Sequence, residues 1–132
     1  MNEQELKELN GKLAEWAGFV KREGVKTFKK EGGTLYTETG DWWKTPSVCG
    51  YQGEYEFLPN FTQSLDACFK WLVPKLEEWG IASDYTHPQM LGYIATATLT
   101  KPFSHQVAHA ETPALAFCLA IEQLIDAGAK AK

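Results

Sequence analysis

The stretch TPALAFCLAIEQLIDAG, residues 112–128, decides the fold. Thr112 offers a side-chain oxygen for a helix N-cap, Pro113 suits the first helical position, and Gly128 suits the left-handed residue that stops a helix. Between them, 114–127 is apolar on almost every side, broken only by Glu122, Gln123 and Asp126. So apolar a helix must be largely buried, and its alanines allow a sheet to come close. Leu119 is taken as one of its inward positions.

Working outward, LGYIATATLT (91–100) is rich in Thr, Ile and Tyr and predicts a strand of about ten residues. The stretch KPFSHQVAHAE (101–111) is bracketed by Pro102 and the Thr112-Pro113 cap and reads as a connection. Residues 62–79 predict a second helix, with Leu65, Cys68, Phe69, Leu72, Val73, Leu76 and Trp79 on one face and Gly80 as a stop. Pro74 lies inside it, removes the hydrogen bond to the Lys70 carbonyl, and predicts a kink or a division into two shorter helices. A turn-rich stretch with Asp84, His87 and Pro88 follows.

At the start, Leu6, Leu9, Leu13, Trp16, Ala17 and Val20 recur at helical spacing and predict an amphipathic helix over 2–20. After Gly24, the segments 25–30 and 34–38 flank Glu31-Gly32-Gly33 and predict a hairpin, because paired glycines supply the positive φ angles of a tight turn. Residues 39–60, punctuated by Gly40, Pro46, Gly50, Gly53 and Pro59, read as a long connection with a short strand at 54–58. Helix, two or three strands, helix, strand, helix is an α+β order. A three-layer α/β/α sandwich, with a small, mainly antiparallel sheet and helices on both faces, buries all the apolar faces at once.

The chain has 132 residues, 44% of them hydrophobic and 23% charged, which fits a single domain over 1–132 with one core. A net charge of −4, with twelve lysines and only Arg22 as arginine, argues against binding polymeric nucleic acid, which needs a basic field. The cluster Lys21, Arg22, Lys26, Lys29 and Lys30 reads as a solvated face and a lysine-protected strand edge. Three cysteines, at 49, 68 and 118, form neither a disulfide framework nor a zinc ribbon. Residues 1–8 are polar and acidic, and no run approaches 18 apolar residues, so the expected location is the cytoplasm and no membrane partner is expected.

Two stretches, LPNFTQSLDACFKWLVPKL (58–76) and ETPALAFCLAIEQLID (111–126), resemble the signatures of the phage ABA sandwich domain family. LAEWAGF (13–19) and DWWKTPS (41–47) resemble its other recurring pieces, in the family's order and over about half the chain. The resemblance implies a small α–β–α sandwich encoded by a phage or prophage, acting in the host cytoplasm; it carries no established activity. The lysine-rich hairpin and the 101–111 stretch depart from the family's pattern.

No nucleophile elbow, phosphate loop or carboxylate pair is visible, so the protein is expected not to be an enzyme and to use no cofactor. His105, His109 and Glu111 give H-x3-H-x-E, but in a bracketed connection without an internal general base, and no metal site is expected. The aromatic residues carry the remaining signal. Trp42, Trp43, Tyr51 and Tyr55 lie beside Lys44 in the 39–60 connection, with Lys101 and His105 as further polar candidates. Ring faces with nearby cations are equipment for stacking a planar anionic ligand such as a nucleotide. The expected function is therefore sequestration of a host nucleotide signal without cleavage, as a counter-defence sponge. The alternative is a protein-interaction module that blocks or scaffolds a host or virion protein through an aromatic patch. A homo-oligomer would help the first by bringing rings and cations of two chains together.

Overall fold

The computed structural model describes residues 2–29, 35–44, 55–56, 60–84 and 92–131, with side chains over 2–21, 60–83 and 92–131. Helix α1 (Glu3–Trp16) is capped by Asn2, whose side chain accepts from the Glu5 N–H at 2.8 Å. It stops at Gly18, where φ is +100° and the N–H groups of Gly18 and Phe19 bond back to the carbonyls of Glu15 and Ala14. This paired return is a Schellman stop, which needs a residue at ease with positive φ. Helix α1 therefore ends short of the 2–20 expected, and Val20 already belongs to the next strand.

Strands β1 (Val20–Lys29) and β2 (Leu35–Lys44) form the expected hairpin, but each is ten residues long. Strand β3 (Tyr55–Glu56) adds to β2 and completes an antiparallel sheet in the order β1-β2-β3. Residues 39–44 of the expected 39–60 connection are thus strand, with Trp42, Trp43 and Lys44 on β2, and β3 falls in the short strand expected at 54–58; residues 45–54 and 57–59 lie outside those described.

The 62–79 helix is broken into a 3₁₀ turn (Phe61–Gln63), the short α2 (Leu65–Ala67), a π turn (Cys68–Leu72) and a second 3₁₀ turn (Val73–Lys75). Pro74 explains it, since its ring and missing N–H forbid a regular turn against Lys70. The helix widens just before it, with the Val73 N–H reaching the Cys68 carbonyl. Leu76 is extended, at φ −106° and ψ 150°, and the chain enters β4 (Glu78–Asp84). Trp79, read as the last helical position, is a strand residue.

Strands β4, β5 (Gly92–Thr100) and β6 (Phe103–Ala110) form a second antiparallel sheet in that order. The expected strand at 91–100 is β5. The 101–111 connection is a hairpin turn at Lys101-Pro102, joined by a cis peptide, followed by a strand, so His105 and His109 are strand residues.

Helix α3 (Pro113–Asp126) has Thr112 as N-cap, accepting from the Leu115 N–H at 3.2 Å, and ends on a second Schellman stop at Gly128 with φ +83°. It packs across β5 and β6 and touches α1 and the first 3₁₀ turn. Its Ala116, Phe117, Cys118, Ala120, Ile121 and Leu124 join Ala95, Ala97, Leu99 and Ala108 of the sheet, Leu9 and Leu13 of α1, and Phe61, Cys68 and Leu72 in one buried cluster. The opposite face of this sheet is exposed at Ala82, Phe103, His105, Val107 and His109. No described helix is long and apolar enough to cross a membrane.

A polar clamp ties α1 to the returning chain. Asn10, 7% exposed, accepts from the Thr62 N–H at 3.1 Å and donates to Asn60 Oδ1 at 3.2 Å. Leu119, expected to point inward, is only half-buried, whereas Ile121 is fully enclosed. Ile121→Ala should therefore cost about 2–5 kcal/mol in urea unfolding and Leu119→Ala clearly less; equal costs would contradict the orientation of α3. Asn10→Ala should cost about 1–3 kcal/mol in the same assay, because the buried Thr62 N–H loses its acceptor.

Candidate functional site

Directly opposed residues of an antiparallel ladder share a face, and so do residues two apart on one strand. Trp42 stands opposite Arg22, Lys44 opposite both Val20 and Tyr55, and Trp43 opposite both Lys21 and Glu56. One face of the first sheet therefore carries Trp42, Lys44 and Tyr55 together with Arg22, and the other carries Trp43 with Lys21 and Glu56. Three of the expected site residues are brought together and Trp43 is set apart. Tyr51 lies outside the described residues. Arg22 was read only as part of a solvated basic face; extending the predicted hairpin by four residues in register would have placed it beside Trp42.

Lys101 and His105 belong to the β5–β6 hairpin on the second sheet. Lys101 is exposed at the turn. His105 is exposed on the face away from α3, and its Nδ1 lies 2.7 Å from Thr98 Oγ1. Thr98 is 6% exposed and stands between His105 and Glu78 across the three strands. His109 shares that face with His105, but four residues along a strand separate them by about 13 Å, too far to grip one ion. Among the described residues, no three His, Cys, Asp or Glu side chains come together as a metal site. The neighbouring row holds Gly80, where a Cβ would lie 3.1 Å from Thr96 Oγ1, so glycine lets β4 and β5 carry that threonine between them.

A second aromatic surface lies where the sequence reading placed core. Phe69 and Trp79, each 43% exposed, meet with ring centroids 5.4 Å apart, and Trp79 rests edge-on against Phe117 at 6.0 Å. Both were assigned to the apolar face of the 62–79 helix, kinked or divided at Pro74; the chain instead leaves the helix at Leu76, and the two rings meet at the surface. Beside them, Lys70 Nζ stands 4.7 Å from the centre of the Trp71 ring, a cation–π distance.

The two described thiols are buried in the core with Sγ atoms 3.9 Å apart, and Cys68 donates to the Phe61 carbonyl at 3.1 Å. The hydrogen bond with Cys68, and then burial, push the Cys118 thiol far above its ordinary range, so it carries no thiolate at neutral pH. With a disulfide-forming aromatic thiol reagent, no more than one thiol per native chain, that of Cys49, should titrate, and all three should titrate in denaturant. Rapid native titration of a second thiol would mean that the pair opens readily. Comparison with models of known protein families, with curated proteins and with solved structures finds no match to this chain.

Proposed function

We propose that the protein binds a planar, anionic small molecule of the nucleotide class on the face of the first sheet that carries Trp42, Arg22, Lys44 and Tyr55. The single observation behind this reading is the β1-β2-β3 register, which gathers two rings and two cations at adjoining ladder positions. Rings of this kind stack a base or similar plane, and the cations answer its phosphates. In this reading the ligand is held and not transformed, since Trp42, Arg22, Lys44 and Tyr55 include no carboxylate, imidazole or thiol. In a phage protein, which the motif resemblance favours, such binding would withdraw a host nucleotide signal in the host cytoplasm and act as counter-defence.

A second reading, a protein-interaction module, draws on the exposed Phe69–Trp79 pair. The two readings separate by experiment. Thermal-shift screening against mono-, di- and cyclic nucleotides should find a ligand that, at 100 times its dissociation constant, adds about 2.7 kcal/mol of stability. Trp42→Ala should then weaken calorimetric affinity by about ten- to a hundredfold, in line with roughly 1–3 kcal/mol per stacked base, while Trp43→Ala on the other face does less. The ligand should be recovered chemically unchanged from denatured protein. Absence of heat with every nucleotide, together with loss of a single host polypeptide partner in Trp79→Ser, would overturn the first reading in favour of the second.

A further inference from the structure

Sheet edges are places where other strands add, and natural proteins guard them with charges, prolines, bulges or shortness. Of the four edges among the described strands, three are guarded. Strand β1 carries Lys21, Arg22, Glu23, Lys26 and Lys29, β3 is two residues long, and β4 has Glu78 and Asp84 at its ends with Gly80 between. Strand β6 has none of these devices. Its eight residues, FSHQVAHA, include no Asp, Glu, Lys, Arg, Pro or Gly. It pairs with β5 at every position without a bulge, and no other described strand pairs with it.

We infer that β6 is a self-association edge, pairing antiparallel with β6 of a second copy about a two-fold axis at Gln106. The sequence is complementary to itself in that register. Phe103 stands opposite His109 of the second copy, Ser104 opposite Ala108, His105 opposite Val107, and Gln106 opposite itself. No like charges meet. On the face away from α3, the exposed Phe103 and Val107, 73% and 40% accessible, each gain a cross-strand neighbour. On the α3 face the Ser104–Ala108 pairs are small, leaving room for the helix that already covers β6 in each chain. The Gln106 amide has both a donor and an acceptor and so can answer its own copy across a two-fold axis. The product is an isologous dimer with one continuous six-stranded antiparallel sheet.

Sedimentation velocity should give a species of twice the 14.8 kDa chain mass. Val107→Lys changes an exposed side chain, so the chain should keep its circular dichroism spectrum and melting behaviour while the dimer weakens at least tenfold. Gln106→Cys, in a Cys49→Ser background, reports the register itself. A residue on the axis faces its own copy with Cα atoms about 4.5–5.5 Å apart, within disulfide reach, so mild oxidation should link two chains through position 106. Ser104→Cys, placed opposite Ala108, should not link. A wild-type chain that remains monomeric at about 0.1 mM, where any micromolar dimer would be filled, overturns the proposal. So does a dimer that survives Val107→Lys and fails to link at 106, which would place the contact elsewhere.

Discussion

The close seating of α3 on the alanine face of the second sheet is the constraint from which the rest of the architecture follows. Ala95, Ala97 and Ala108 offer little more than methyl groups, and Ala116 and Ala120 of the helix are as small. Phe117, Ile121 and Leu124, fully enclosed, supply the bulk. A helix enclosed this far needs neighbours beyond the sheet, and α1 and the 61–75 turns provide them. Lys12 of α1 binds Asp126 and Glu122 of α3 at the rim, where the exposed pair fixes the helix pairing more than it stabilises it.

Pro74 is the second organising residue. By preventing a regular turn it widens the chain at Cys68–Leu72 and releases it at Leu76, early enough for Glu78–Asp84 to become a strand. The same break seats Cys68 against Cys118 and turns Phe69 and Trp79 outward as a pair. One imino acid thus sets an edge of the sheet, a contact in the core and an aromatic surface.

The elements legible in the sequence were those whose caps and periodicity agree. Thr112, Pro113 and Gly128 bound α3, and the Thr- and Ile-rich run is β5. Strand β6 was missed because its inward positions are Ser104, Gln106, Ala108 and Ala110, too small or too polar to show an apolar alternation; Ala108 and Ala110 are small where α3 lies against the sheet. Strand β4 was hidden because Trp79 falls at helical spacing from Leu72 and Leu76, although it reaches the same ring cluster from a strand. At the candidate site, the residue types were readable but their grouping was not. Trp42 and Trp43 are adjacent in sequence and on opposite faces once β2 is extended, while Arg22 joins Trp42 from twenty residues away.

The Asn10 clamp and the Phe19–Phe61 ring contact, at 6.2 Å, hold the two ends of the 20–59 excursion at one place on the molecule. An excursion closed at its base by the rest of the fold can change length cheaply, since closure entropy rises only about 0.6 kcal/mol for each doubling. The hairpin is therefore a cassette in the evolutionary sense. Its length can drift between lineages while the contacts that close it, all made by residues outside 20–59, stay in place.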